Sequence, residues 1–358
     1  MSTALEFLRK KIDTVDATII ERLNERVSLA AEIGRIKKRD AKAVYAPSRE
    51  ERIFQKLLSL NKGPLDETSI HAIYREIISA SLALQKDTLV AYLGPEATYT
   101  HQAALKNFGS SVRYQPLPSI PDIFAAVEKK ESDYGVIPIE NSTEGAVFHS
   151  LDMFAESDLK IIAQVYLKIE HALLSKTPME KIETVLSKDQ ALGQCRDWLR
   201  RNLPQARLKA VSSTAEAVQQ AAKARRTSAI ASTLAGELYN LPVRKRSIQD
   251  SLDNMTRFLV ISSSSSPPSE KGEDRTSLLL SINDEVGALQ KALSLFSARG
   301  INLTKIESRP SRRKAWDYHF FIDCIGHYQE ATIQSLIADL KRLCQRVKWL
   351  GSYPNVTY

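Results

Sequence analysis

Residues 5 to 38 repeat apolar side chains at one unbroken helical period: Leu5, Leu8, Ile12, Val15, Ile19 and Leu23, then Ala30 and Ile33. No proline interrupts the run, and Gly34 is its only weak point. At 1.5 Å per residue such a helix spans roughly 50 Å, too long to be buried inside a compact unit of about ninety residues. The stripe therefore predicts pairing with a second copy of itself. Pro47 ends the following loop, and Ser48-Arg49-Glu50-Glu51 has capping-box spacing at the start of a second helix. Gly63-Pro64 breaks that helix. Asp66 then caps a third, with Ile70, Ile73 and Ile77 on its apolar face.

Two cations stand on the apolar stripe. Continuing it from Ile19 by seven reaches Arg26, and from Ile33 by four reaches Lys37. Nearly three turns separate them, so they share a face about 16 Å apart. Singly, each reads as a polar coiled-coil position that sets register. Together, with no acid at matched spacing, they equally read as a pocket for a dianion. Ser81 and Gln85, at i and i+4 on the third helix, would add neutral donors. The residues alone leave both readings open.

The segments Leu8 to Asp13, Glu25-Arg26, Gly34 to Lys37, Pro47 to Glu50 and Ser81 to Gln85 resemble the all-helical chorismate mutases, over Leu5 to about Lys86. The resemblance implies three helices per chain intertwined as a dimer. It implies that Arg9, Arg26 and Arg49 grip the carboxylates of chorismate and the groups beside them. Lys37 and Gln85 would donate to the ether oxygen, Glu50 would hold a hydroxyl, and Ser81 would line the pocket. Ala46 departs from an aspartate found in some members. A Claisen rearrangement needs no base, nucleophile or metal, only a compact substrate and stabilised charge on the breaking C–O oxygen.

From residue 88 to 262 strand-like and helix-like stretches alternate, which predicts an α/β unit of two small lobes with a cleft between them. The run Tyr134 to Ile139 breaks into Glu140-Asn141-Ser142-Thr143, and an amphipathic segment resumes at Ala146. That places the polar cluster at a helix N-terminus, suited to a bound anion, though Asn, Ser and Thr are also the ordinary capping residues. Three other polar loops stand out: Gly94 to His101, Ser187 to Gln194 and Asn254 to Phe258. Each alone has a turn or capping explanation.

Taken together, Gly94-Pro95 with Thr98-Tyr99, Pro138 to Ser142, the Ser187/Gln194 pair and Thr256-Arg257-Phe258 resemble prephenate dehydratase over Leu89 to about Ile261. Ala97 replaces a common glycine there, a conformational variation near the pocket. The resemblance implies that Thr256 donates to the departing ring hydroxyl of prephenate. Asn141, Ser187 and Gln194 would hold the substrate, with Ser142, Arg257 and Phe258 beside them, and Glu140 would support Asn141 or Thr256. A threonine hydroxyl is a poor acid in water, so its use implies a dry, closed cleft.

Five serines, Ser262 to Ser266, precede Pro267-Pro268 and a charged stretch to Asp274, a composition that predicts a flexible, solvated linker and an independent module beyond it. After it comes a β-α-β-β-α-β pattern. Gly287-Ala288-Leu289, Gly300 to Thr304 and Glu307-Ser308-Arg309-Pro310 read as a helix cap and strand ends in generic sequence. Here they resemble the ACT regulatory domain of prephenate dehydratases. That resemblance implies phenylalanine bound between two subunits, near Gly287, Ala288, Leu289, Asn302 and Leu303, with Glu307, Ser308 and Arg309 in the same site, and inhibition by that end product.

Composition limits the alternatives. The chain has 358 residues, 43% of them hydrophobic, and a net charge of +8. Its basic runs (Arg35 to Arg39, Lys223 to Arg226, Arg312 to Lys314) are scattered and carry no interleaved aromatics, so nucleic acid is not the expected partner. A small anionic substrate accounts for the excess equally well. No run approaches the ~18 apolar residues of a membrane span, and no signal peptide opens the chain. Three scattered cysteines (Cys195, Cys324, Cys344) read as free thiols of a reducing cytoplasm. No metal-spaced cluster and no dinucleotide or P-loop glycine pattern occurs, and the resemblances imply no cofactor or metal.

The expected architecture is an all-α unit (1–87), a two-lobed α/β unit (88–262), a linker (263–275) and an α+β ACT unit (276–358). In this order they imply a homodimeric or larger chorismate mutase–prephenate dehydratase. Remaining alternatives are a helical unit without activity, a preference for arogenate, or a non-catalytic amino-acid sensor. Paired retention of Lys37 with Gln85 and of Thr256 with Arg257 argues against the sensor.

Overall fold

The computed structural model describes residues 2–40, 43–269, 274–311 and 318–356. The basic run Arg312–Lys314 and part of the linker lie outside the described residues. Three helices come first: α1 (Ser2–Arg39), α2 (Pro47–Leu60) and α3 (Glu67–Gln85). The long helix is continuous, as its period requires. Only its C-terminal part packs within the chain, where Gly34 lets α1 approach α3 closely: a Cβ there would lie 2.8 Å from Gln85 Cγ. Its N-terminal part leaves Leu5, Leu8, Ile12, Val15 and Ile19 between 48% and 59% exposed. The α2 start differs from expectation: Ala46 is the N-cap with no side-chain bond, and Pro47 supplies the preset first turn. Asp66 does cap α3, accepting from Ser69 N at 2.7 Å. The buried face of α3 runs through Ile70, Ile78 and Leu82 rather than through Ile73, because α3 also lies against the central unit.

The central unit runs β1 (Leu89–Leu93), α4 (Tyr99–Phe108), β2 (Arg113–Leu117), α5 (Ile120–Glu128), β3 (Tyr134–Asn141), β4 (Gly145–Ala146), α6 (Phe148–Glu156), β5 (Lys160–Lys168) and β6 (Ala172–Leu174). It continues with β7 (Thr184–Lys188), α7 (Asp189–Gln194), α8 (Arg196–Asn202), β8 (Arg207–Val211), α9 (Thr214–Lys223), β9 (Thr227–Ala231), α10 (Thr233–Leu238), β10 (Val243–Lys245) and β11 (Met255–Ser262). These strands form two sheets, β2-β1-β3-β11-β5 and β10-β6-β9-β7-β8, hence two lobes. The chain crosses to the second lobe after β5 and returns in β11. In each lobe the carboxyl ends of parallel strands (β1, β2, β3; β7, β8) open toward one cleft, the usual ligand position for such sheets.

The last unit comprises β12 (Asp274–Ser281), α11 (Ala288–Ser297), β13 (Leu303–Pro310), β14 (Tyr318–Ile325), α12 (Ala331–Leu343) and β15 (Arg346–Pro354), with sheet order β13-β14-β12-β15. Both faces of its sheet are covered. Leu278, Leu280 and Ile322 pack under α11 and α12, whereas Leu279, Phe321, Leu350 and Tyr353 join the core of the first central lobe. That explains the continuous apolar run in β12. It also corrects the expectation of an independent module. Gly351 sits where a Cβ would meet the Ile161 carbonyl at 2.2 Å, so β15 lies directly on β5. The serine run is not simply solvated: Ser262 and Ser266 are buried, and the Ser266 carbonyl lies 3.2 Å from His327 Nε2.

Candidate active sites

The cleft between the lobes has a volume of about 860 Å³ and is lined in part by Thr98, Asn141, His171, Gln194, Thr256 and Phe258. Its centre is a strand pair. Thr256 on β11 lies opposite Asn141 on β3, and the Asn141 Nδ2 donates to Thr256 Oγ1 at 2.8 Å and to Asn254 Oδ1 at 2.7 Å. The Asn141 Oδ1 accepts from Thr143 N (3.0 Å) and Glu144 N (3.1 Å), which fixes the amide the right way round. Because the threonine oxygen is occupied as an acceptor, its own proton is left to donate elsewhere. Gln194 reaches the same group from the second lobe, accepting from Asn254 Nδ2 at 3.1 Å and donating to Glu144 Oε1 at 3.1 Å.

Several expectations change here. The polar cluster is not at a helix N-terminus. The strand β3 continues through Glu140 and Asn141, a tight turn follows, and β4 pairs back, so the helix begins only at Phe148. Asn141 closes that turn with its own side chain, as Asn commonly does. Ser142 spends its hydroxyl on the β11 entry, bonding Asp253 O (3.1 Å) and Met255 N (2.9 Å). Ser187 is fully buried and donates to the Ile230 carbonyl at 2.6 Å, which ties β7 to β9 and leaves it outside the cleft lining. Phe258 is 2% exposed and forms apolar floor.

Glu140 and Arg257 turn to the opposite face of the sheet, since alternate strand residues must. The Arg257 guanidinium bonds Gln164 Oε1 (2.9 Å), Glu140 Oε1 (2.8 Å), Asp323 Oδ2 (2.7 Å) and Tyr353 OH (2.8 Å). Lys305 also pairs with Glu140. Burial pushes the Glu140 and Asp323 carboxyls up, but Arg257, with Lys305 at Glu140 and with Ser277 and Arg275 at Asp323, holds both below the usual carboxylate range. Neither Glu140 nor Arg257 reaches the cleft, so the expected substrate role gives way to a junction between the central and last units.

Ala97, standing where a glycine was expected, is buried with φ of +65°. A side chain in that region costs roughly 1–2 kcal/mol. Ala97→Gly is therefore expected to raise the thermal midpoint of unfolding by a few degrees in calorimetry. An unchanged or lower midpoint would mean that the buried methyl offsets the backbone strain.

In the helical unit, Arg26 Nη1 donates to Ser81 Oγ at 2.6 Å, and Lys37 Nζ donates to the Val44 carbonyl at 2.7 Å. Burial lowers the Lys37 pKa, Glu50 works against this, and Arg49 adds to it. Burial also lowers Arg26, with Tyr74 opposing and Arg49 adding. Arg26, Lys37, Arg49 and Glu50 thus share one electrostatic neighbourhood. Gln85 adjoins Gly34, and its buried Oε1 has no partner among the described residues. Glu50 is held by Arg75 at 2.6 Å, a partner that sequence reading missed because it lies one helix away. Arg9 is exposed on the free part of α1, about 25 Å from Arg26 along the axis, and the chain does not bring it to the others.

The three units match the family models for chorismate mutase type II over residues 8–86, prephenate dehydratase over 90–266 and the ACT domain over 276–342. The bifunctional chorismate mutase/prephenate dehydratase of Aquifex aeolicus (strain VF5) is 49% identical over 356 residues, covering 98% of each chain. The chain belongs to the bifunctional chorismate mutase/prephenate dehydratase family. A relative of that name from Stutzerimonas stutzeri is 42% identical, again over 98% of both chains. The prephenate dehydratase of Arthrobacter aurescens, solved in complex with L-Phe, is 30% identical with a TM-score of 0.70, covering 75% of this chain and 90% of its own. The chain is thus a mutase and a dehydratase in one polypeptide, of phenylalanine biosynthesis.

In the ACT domain, Gly287 caps α11 with φ of +79°, and an open concavity of about 620 Å³ is lined by Gly287, Ala288, Leu289 and Leu293. Asn302 and Ser308 are exposed, and Leu303 packs against the domain core. A bulge between Leu303 and Lys305 changes which face the rest of β13 presents. Arg309 consequently meets the dehydratase domain, bonding Asp152 at 3.1 and 3.2 Å and lying over the Phe148 ring. It is committed there rather than beside Gly287, a correction to its expected effector role. Glu307 shares β13 and its partly covered setting.

Proposed function

We propose that the cleft performs the dehydration with Thr256 as the donor to the departing hydroxyl and Asn141 as the group that orients it. The observation that carries this is the direction of the Asn141 to Thr256 bond, which uses the threonine oxygen as an acceptor and leaves its proton free to donate. As the bond from the ring to its carboxylate carbon breaks, its electron pair enters the ring and the C–O bond opens. Carbon dioxide leaves unaided; the departing hydroxide takes the Thr256 hydrogen bond and then that proton, becoming water, and Thr256 regains a proton from solvent. Gln194 extends the polar wall of the cleft from the second lobe.

The mutase reading assigns Lys37 and Gln85 to the ether oxygen, with Arg26 and Arg49 on carboxylates and Glu50 on a hydroxyl. Gln85 then presents its amide N–H, and its oxygen accepts no bond from the described residues. Support for a homodimer comes from the uncovered apolar face of α1, with Arg9 on the same exposed stretch. Phenylalanine binding at the ACT concavity would reach catalysis through β13, which carries Lys305, and through Asp323. Their partners Glu140 and Arg257 adjoin Asn141 and Thr256 in sequence. Three buried free cysteines suit a reducing cytoplasm.

Purified protein given chorismate is expected to form prephenate and then phenylpyruvate without added cofactor, and phenylalanine is expected to slow only the second step. Absence of phenylpyruvate from either substrate would sink the dehydratase assignment and favour a sensor.

A further inference from the structure

We propose that His171, backed by Tyr99, is a positioning residue for the dehydration: it holds the Gln194 amide in the orientation that completes the cleft's hydrogen-bond chain. The proposal rests on the dehydratase reading of the cleft. His171 is 1% exposed and sits where the chain passes from the first lobe to the second. The return crossing grips its backbone: His171 N donates to Gln249 Oε1 at 3.0 Å, and its carbonyl accepts from Ile248 N at 2.9 Å. The ring is therefore held where the lobes hinge.

The ring contacts fix a direction. His171 Nε2 lies 2.8 Å from Gln194 Oε1, an atom that already accepts from Asn254 Nδ2 and can only accept again. Nε2 therefore carries the proton. Nδ1 lies 2.9 Å from Tyr99 OH, whose single proton is shared between Nδ1 and the Glu170 carbonyl 2.8 Å away. Burial lowers the His171 pKa against the bond to Gln194, in keeping with a neutral ring that accepts at Nδ1. Gln194 turns its NH2 toward Glu144, whose carboxylate can only accept, and so presents its oxygen to His171 and Asn254. The Asn254 amide is then forced to donate to Gln194, which leaves Asn254 Oδ1 to receive Asn141 Nδ2. Asn141 in turn donates to Thr256. The chain of three amides and one hydroxyl is thus anchored at both ends, by the Thr143 and Glu144 amides on Asn141 and by the His171 N–H on Gln194.

The test uses the full-length enzyme, with mutase activity in the same chain as the internal measure of folding. Wild-type turnover of prephenate tests the underlying reading; the ratio of variant to wild type tests His171. His171→Phe keeps an aromatic ring but removes the donor, and is expected to lower dehydratase kcat about ten- to hundredfold with mutase rate unchanged. His171→Gln, which restores an N–H donor, is expected to recover most of that loss. Tyr99→Phe is expected to fall between. Wild-type kcat in His171→Phe overturns the proposal. So does a His171→Gln variant as slow as His171→Phe while the mutase stays intact, because the defect would then not be the missing donor.

Discussion

Thr256→Ala is expected to stop conversion of prephenate to phenylpyruvate, with a fall in kcat of at least about a hundredfold, while the mutase runs at its full rate. Prephenate should accumulate when the variant is given chorismate. The site geometry sharpens this. Asn141 Nδ2 already satisfies the threonine oxygen at 2.8 Å, so removing the hydroxyl deletes a directed donor and strands one amide proton. Thr256→Ser keeps the donor without the methyl and is expected to retain much of the activity. The side chain is 8% exposed and its strand is paired on both sides, so a folding defect is not expected. Unchanged phenylpyruvate output from the alanine variant would remove Thr256 from the mechanism.

Mixing two inactive mutase variants, Arg9→Ala and Lys37→Ala, is expected to restore activity wherever subunits exchange. One chain cannot bring Arg9 to Lys37: they lie on a single straight helix, 28 positions and about 42 Å apart. If Arg9 takes part, it serves a site otherwise built by a partner chain lying antiparallel to it. Each single variant loses one residue from every shared site. A heterodimer holds one site with both residues intact and should return about half the wild-type rate per dimer. Verified heterodimers that stay inactive would mean that each site lies within one chain. The same apolar face that would be covered in the dimer also predicts a steep loss of solubility for a monomer, since several large side chains on it stay about half exposed.

What the sequence determined by itself was whatever local periodicity and short-range stereochemistry dictate. An unbroken apolar stripe with no proline sufficed for α1, and Asp66 sufficed to start α3, because both act within a turn or two of chain. The β-α-β-β-α-β order, the two lobes and the loops bearing Asn141, Gln194 and Thr256 were legible for the same reason: alternation and turn residues mark where strands end. Side-chain direction was not. Arg257 follows Thr256, yet it points to the other face of β11 and meets Asp323 and Tyr353, residues that a linker separates from it in the chain. Glu140 likewise faces Lys305, and Ser187 faces Ile230. His171 stands alone in sequence, with no motif to mark it, and becomes central only because two crossings between lobes meet at its backbone. Tertiary structure also decided that the ACT sheet is covered on both faces. A composition rich in serine and proline says that a segment costs little to extend; it does not say what lies against the domain that follows, which depends on apolar surface such as Leu279, Phe321 and Leu350 finding the first lobe.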